Sequence, residues 1–381
     1  MYPDIICFSH LRWNFVYQRP QHLLSRFARL GRVYYIEEAV FDAAPGAGYY
    51  HITNDPVLNL SVIEPHIEPG LSGREMVAVQ RQLLDNFKNE QHIDAFIAWY
   101  YSPMAMTFSS HLHPQVTLYD CMDELSAFLN APPAIKEQEN LLMQRADLVF
   151  TGGKSLYEAK KHLHPHIYPF PSSIDHAHFS KAREPLAEPA DQSSIPHPRI
   201  GFYGVIDERL HISLLRRLAQ HRPNWHFILI GPTVKIDPAT LPRADNLHYL
   251  GGKQYLELPA YLSGWDIAML PFAHNEATRF ISPTKTPEYL AGGKPVISTS
   301  IRDVVDPYEQ LGLVEIADTT DEFIARAEAL LSQTDNSAWL AKADEFLAHT
   351  SWDKTWLEMR SLMEPLLSNK INNRKKEEAN V

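Results

Sequence analysis

Short apolar runs of three to five residues recur along this chain, with stretches of helical periodicity between them. That alternation builds parallel α/β sheets, because a strand must cross over before a parallel neighbour can form. In the first half the runs fall at 5–8, 33–36, 96–99, 116–119 and 148–150. Helical patterns occupy 21–30, 75–89, 135–145 and 155–162, and Pro20 suits a helix start, where its missing N–H would have had no partner. The rhythm lapses over 180–198, which collects Pro185, Pro189, Pro196 and Pro198. It restarts with runs at 200–203, 226–230, 247–250, 267–270, 296–298 and 314–316. Helical patterns at 213–221, 255–263, 285–291 and 321–331 accompany them. Two tandem α/β domains are expected, 1–175 and 199–345, joined by a linker at 176–198. A C-terminal helical segment, 346–367, carries Trp352, Trp356, Met359 and Met363 at helical spacing. It is expected to pack back across the domains, ahead of a polar, frayed tail at 368–381.

Composition narrows the function. A chain of 381 residues is too long for one small core, and its 45% hydrophobic content is ample for two. The net charge of −11 argues against a surface built for nucleic acid, yet leaves room for one basic pocket that takes a diphosphate. Only two cysteines occur, Cys7 and Cys121, with no metal-ligand spacing, as expected for a reducing compartment. Asp4 runs directly into the apolar 5–8 with no basic leader, which reads as a first strand and not a signal peptide. No window approaches the roughly 18 apolar residues of a membrane span. A soluble, cytoplasmic protein is expected.

Several motifs compete for the chemistry. Thr151-Gly152-Gly153-Lys154-Ser155 sits between a strand and a helix, but Leu148 occupies the place of a phosphate loop's first glycine. It reads better as a glycine turn. The dinucleotide fingerprint is absent after the first strand, where Ser9-His10-Leu11-Arg12-Trp13 stands. The histidine sets at 162–166, 111–113 and 176–178 lack metal-site spacing and read as surface or packing residues. Asp120, Asp123 and Glu124 could hold a cation through carboxylates. They also lie just past a strand end, where open α/β sheets contact ligands, so a direct substrate role competes. No Asp-x-Asp pair is present, and no metal site is expected.

The most informative stretch is 282–297. Ser282 or Thr284 can cap a helix whose N-terminal N–H groups favour phosphate. Lys285 and Glu288 then share one face, offering a cation for a diphosphate and a carboxylate for a ribose diol. Gly292-Gly293 ends the helix before a buried strand.

These residues, from Pro283 to Ile297, resemble the signature of bacterial glycosyltransferases of the GT-B fold, the large retaining family 4 and its group 1 relatives. Pro169-Phe170-Pro171-Ser172-Ser173-Ile174-Asp175 with Phe179 is similar to the family's interdomain segment. The stretch 246–251, then 258–262 and 265–267, is similar to its nucleotide domain, and 146–150 also fits. Segments 17–23 and 119–125 resemble a subgroup of surface-polysaccharide biosynthesis enzymes. The resemblance implies two Rossmann-like, doubly wound parallel-sheet domains facing a cleft. It implies a nucleotide-diphosphate sugar donor as co-substrate, a glycan or lipid-linked acceptor and no further cofactor. Peripheral contact at the inner face of the cytoplasmic membrane is compatible with such an acceptor, although 1–180 is acidic overall.

Carried over residue by residue, the resemblance makes Asp120, Lys285 and Arg209 the catalytic candidates. Lys285 and Arg209 would stabilise the leaving diphosphate, and Asp120 would orient the donor sugar. Donor contacts are expected from Glu288, Ser282, Pro283, Thr284, Gly204, Gly231 and Gly251. The family's Glu-x7-Glu is broken, because Phe280 holds the first glutamate's place; Glu276 is the nearby substitute. Gly204 to Leu210 replaces the family's phosphate-binding pattern, which is why Arg209 is singled out. The competing readings are a sugar-nucleotide 2-epimerase of the same fold, a NAD-linked oxidoreductase and a non-catalytic sugar-nucleotide-binding protein.

Overall fold

The computed structural model describes residues 2–378, with 369–378 described by backbone alone. The first sheet is formed by β1 (Asp4–Phe8), β2 (Val33–Ile36), β3 (Val40–Phe41), β4 (Tyr49–Asn54), β5 (Leu60–Ile67), β6 (Phe96–Tyr100), β7 (Val116–Cys121), β8 (Leu148–Thr151) and β9 (Ile167–Pro169). Its order is β3-β5-β2-β1-β6-β7-β8-β9, with β4 antiparallel on β5 and every other pairing parallel. Side chains alternate across each strand, so β1 serves two cores. Ile5 and Cys7 meet Leu23 and Phe27 of the helix Arg19–Phe27 on one face. Ile6 and Phe8 meet Leu84 and Phe87 of the helix Gly73–Glu90 on the other.

The second sheet holds β10 (Arg199–Tyr203), β11 (His226–Ile230), β12 (Leu247–Tyr249), β13 (Ile267–Leu270), β14 (Val296–Ser298) and β15 (Glu315–Ile316). All its pairings are parallel, in the order β12-β11-β10-β13-β14-β15. Strand order reverses beside β10 here and beside β1 in the first sheet. In open α/β sheets ligands settle at the carboxyl ends of strands beside such a reversal.

Three features depart from the sequence expectations. The strands β3, β4 and β5 lie in a stretch with no clean apolar run, because Glu64 and Pro65 interrupt β5 and β4 is largely exposed. The helix expected at 255–263 is a 3-10 turn, Tyr255–Glu257, followed by the helix Leu258–Ser263. The last helix does not stop at 367 but runs Trp352–Glu378, with Pro365 inside it. Its polar end has no apolar face to betray a helix, although Lys, Arg and Glu are good helix formers. Residues 379–381 of the expected tail lie outside the described residues. This helix buries Trp352, Met359, Met363 and Leu367 against the first sheet, so the chain's end returns to its beginning.

Candidate active site

The two domains meet around a small cavity of about 90 Å³. From the first domain it is lined by Gln18, Arg19, Met122, Asp123, Gly152 and Ser172. From the second come Phe202, Val205, Arg209, Phe272 and the run from Ile281 to Lys285. The wall thus joins the turns after β7 and β8 to those after β10 and β13, the carboxyl edges of both sheets. Ser172 Oγ donates to the Ser282 carbonyl at 2.6 Å and holds the two rims together.

Lys285 opens the helix Lys285–Ala291. Its amine makes no hydrogen bond or ion pair among the described residues and lies 5.9 Å from the Phe202 ring centre. Burial pushes this amine below the ordinary lysine range; Glu288 opposes that shift and Arg209 adds to it. Gly204, at φ +142°, makes room for it. A Cβ there would stand 2.2 Å from Lys285 Cε. The helix begins at Thr284 with no side-chain cap, so the capping role expected of Ser282 or Thr284 is not realised.

Glu288 lies one turn further on, buried. Tyr203 donates its hydroxyl to Oε2 at 2.7 Å. Burial pushes the Glu288 carboxyl up to about 7, against the pull of Tyr203 and Lys285. Arg209 is gripped by Asp207, with Nε 2.9 Å from Oδ1 and Nη2 2.7 Å from Oδ2. Its guanidinium lies 5.3 Å from the Phe128 ring centre, a residue of the opposite domain. The salt bridge fixes one edge of the fork and leaves the rest for an anion.

Several of the expected residues lie away from this cavity. Asp120 does not line the cavity: it is fully buried, and Arg19 Nε meets its carboxylate oxygens at 3.0 and 3.1 Å. Arg19 lines the cavity and Asp120 does not, so Asp120 meets the cavity through the guanidinium it holds. Glu276 lies on the surface, paired at 3.6 Å with an exposed Arg279, and is not part of the cavity wall. Phe280, in the place of the family's first glutamate, packs against the core of the first domain. Gly231 and Gly251, like Gly204 and Glu288, are not among the residues that line the cavity, Gly204 and Glu288 lying behind Lys285. Gly231 lets two strand ends touch, since a Cβ on it would stand 1.8 Å from the Gly204 carbonyl oxygen.

The carboxylate that faces the cavity is Asp123. Burial raises its pKa, while Arg209, Lys235 and Lys285 pull it down. The sequence offers Asp123 both as a cation ligand and, from its place just past a strand end, as a direct substrate contact, but the residue singled out there for catalysis is Asp120. The carboxylates 120, 123 and 124 diverge, Glu124 pairing with Lys160 at 2.7 Å. Among the described residues no group of three or more His, Cys, Asp and Glu is placed to hold a metal ion. The 151–155 turn is an interdomain contact. Asp303 accepts the Ser155 N–H at 2.9 Å, and a Cβ on Gly153 would collide with its carboxylate at 2.3 Å.

Residues 197–333 match the family model described as Glycosyl transferases group 1. The whole chain superposes on sucrose-phosphate synthase of Thermosynechococcus elongatus with a TM-score of 0.71, at 14% identity, covering 97% of this chain and 100% of that one. The chain has the GT-B fold, and its second half is similar to a group 1 glycosyltransferase domain. HepE of Anabaena, solved with UDP and glucose, shares the GT-B fold at a TM-score of 0.66 and 11% identity, over 96% of this chain and 100% of that one. In sequence the chain is 26% identical over 264 residues to TuaH of Bacillus subtilis (strain 168), described as a teichuronic acid biosynthesis glycosyltransferase. That match spans 63% of this chain and 65% of the relative. The segment that matches the family model contains Arg209, Lys285 and Glu288, whereas Arg19 and Asp123 come from the first domain, across the cleft.

Proposed function

We propose that the chain moves a sugar from a nucleoside-diphosphate donor to a hydroxyl of a glycan or lipid-linked acceptor, in cell-surface polysaccharide synthesis. The observation that carries this reading is Lys285, a half-buried amine with no hydrogen bond or ion pair among the described residues, held against the interdomain cavity. A cation drawn partly out of water and left unpaired suits an anionic ligand, and a leaving diphosphate is such an anion. The names of TuaH and HepE support the sugar and nucleotide classes.

In the reaction the bond between the anomeric carbon and the β-phosphate oxygen breaks. Lys285 and the free edge of Arg209 meet the charge that builds on the diphosphate. Glu288 takes the ribose hydroxyls. Asp123, on the opposite wall, faces the carbon as it becomes cationic. The acceptor oxygen bonds to that carbon and its proton passes to the departing phosphate, with the retained configuration that the family resemblance implies. The donor is bound by 199–345 and the acceptor by 1–175. The reaction belongs in the cytoplasm, with peripheral contact at the membrane where the acceptor is lipid-linked. Among the described residues no helix is long and apolar enough to cross a membrane.

The test is thermal denaturation with UDP, GDP, uridine and NAD, followed by assay of labelled nucleotide sugars against candidate acceptors. A diphosphate at about 100 times its dissociation constant should stabilise the fold by about 2.7 kcal/mol. The bare nucleoside should do far less. Stabilisation by NAD alone, or nucleotide release with no product on any acceptor, would sink the transferase reading.

A further inference from the structure

A second and larger cavity, about 510 Å³, lies wholly within the first domain. It opens at Ser9, Glu38 and Ser102, just past the ends of β1, β2 and β6, and runs beneath the helix Gly73–Glu90. Its wall is chiefly apolar, with Met76, Val77 and Leu84 from the helix facing Phe8 and Ile63 from the sheet. The helix is seated at one end only. Leu84 and Phe87 are buried, Phe87 edge-on to Tyr34 and Tyr50 at 5.2 and 5.3 Å, whereas Met76 and Val77 are half-covered. Protein interiors close voids of this size, because each leaves apolar groups without partners. A volume of about 510 Å³, apolar with a few polar groups at the mouth, is typical of a ligand pocket.

The mouth lies on the same carboxyl edge as the interdomain cavity. β1 and β7 are separated in the sheet by β6 alone, so the two openings stand roughly two strand spacings, or about 10 Å, apart. Glu37 at the mouth is tied to Arg12 at 2.7 Å and to the Trp13 N–H at 2.7 Å. Glu38 is exposed and has no hydrogen-bond or ion-pair partner among the described residues. Glu37 is taken up by Arg12 and Trp13, so the free acceptor at the entrance is Glu38. That carboxylate can take hydrogen bonds from hydroxyls and disfavours a second carboxylate beside it, with the Arg12 and Lys235 charges nearby.

We propose that this cavity takes the hydrocarbon chain of a lipid-linked sugar acceptor, with the acceptor's hydroxylated head at Glu38 beside the transfer site. The assignment of a lipid-linked acceptor rests on the transferase reading; the binding of the chain does not. Apolar burial here is set by length, and each added methylene should tighten binding about fourfold until the cavity is full.

The experiment is calorimetric titration of the full chain with hexyl, octyl and decyl β-glucosides, each below its micelle concentration, and with decanoate. Affinity should climb about fourfold per methylene, with a negative heat-capacity change. Decanoate should bind at least tenfold more weakly than decyl glucoside. Met76→Trp, which fills the cavity, and Val77→Asp, which charges its wall, should each weaken decyl glucoside at least tenfold. Neither should alter UDP binding, and both variants are first checked for an unchanged melting temperature. Affinity independent of chain length overturns the proposal, as does length dependence that survives in both folded variants. Decanoate binding as tightly as decyl glucoside removes the sugar head. Loss of every nucleotide response with chain binding intact would instead count against the transferase reading alone.

Discussion

Arg19 and Asp120 are 101 residues apart in the chain and form a buried ion pair behind the interdomain cavity. Arg19 also donates from Nη1 to the Phe170 carbonyl at 2.7 Å, so one guanidinium ties the first helix, the end of β7 and the segment leading out of the domain. Asp120 is therefore a positioning residue: it fixes the cation that lines the cavity. Removing one member of a buried pair strands the other and costs roughly 3–5 kcal/mol. Asp120→Ala should lose about that much in chemical denaturation of the first domain. Arg19→Met with Asp120→Leu should recover most of it, because both charges then leave together. If Asp120→Ala unfolds like the wild type, the pair carries no structural weight.

Lys285 should show the opposite balance of stability and rate. Its amine is half-buried and has no hydrogen bond or ion pair among the described residues, and burial lowers its pKa, so its charge does not favour folding. Lys285→Met keeps the stem and removes the charge. The melting temperature should stay level or rise, while turnover falls by roughly a hundredfold, the usual loss of one charge-stabilising donor. A variant that melts lower and turns over normally would make Lys285 a packing residue.

Much of this arrangement was readable from residues close together in the chain. The apolar run at 116–119 lies within β7, and Lys285 and Glu288 do fall on successive turns of one short helix. What could not be read was set by distance or by polarity. Nothing in Tyr119-Asp120-Cys121 announces that Arg19 takes the carboxylate, and that left Asp120 looking available. Phe280 was visible as a departure from the family pattern, but its use as an interdomain plug depends on a core built from other strands. Asp303 at the 151–155 turn is the same case, since the contact joins residues 148 apart in the chain. β5 was hidden because Pro65 and Glu64 break the apolar run that marks a strand.

Glu288 gives a pH test whose sign is determined. Its folded pKa, about 7, lies above the ordinary value of 4.5, so the folded state holds the proton more tightly. Between these values the folded form binds more protons than the unfolded one, and stability falls as pH rises from 4.5 toward 7. Below 4.5 and above 7 this contribution is flat. Glu288→Gln should remove the slope. Nucleotide affinity should move the other way in the wild type, tightening through pH 7 as the carboxylate ionises to receive the ribose hydroxyls. The difference between wild type and Glu288→Gln isolates that part from titration of the phosphates. Parallel profiles would remove Glu288 from the ribose.

The diphosphate is assigned to Lys285 and Arg209, so the reaction should not need a divalent ion. With a chelator in excess, initial rates should stay within about twofold of the untreated enzyme. Abolition that Mn²⁺ reverses would transfer the leaving-group role to a cation.

Gly204 links the backbone to the chemistry and can be tested without touching a charged group. At φ +142° it occupies a region that side chains rarely adopt, and a Cβ would press on Lys285 Cε at 2.2 Å and Nζ at 2.8 Å. Gly204→Ala should therefore do two separable things. The strained backbone should cost about 1–3 kcal/mol of stability. The lysine, being flexible, should swing away from the cavity, and turnover should drop toward the Lys285→Met value. Gly251 is the control, because it has a left-handed φ of +69° and open space where a Cβ would go. Asparagine tolerates that conformation, so Gly251→Asn should keep both stability and rate. The informative measurement is the double variant Gly204→Ala with Lys285→Met. Its turnover should equal that of Lys285→Met alone, because the lysine that alanine displaces is already gone. A further multiplicative loss would mean that Gly204 serves the donor through its own backbone.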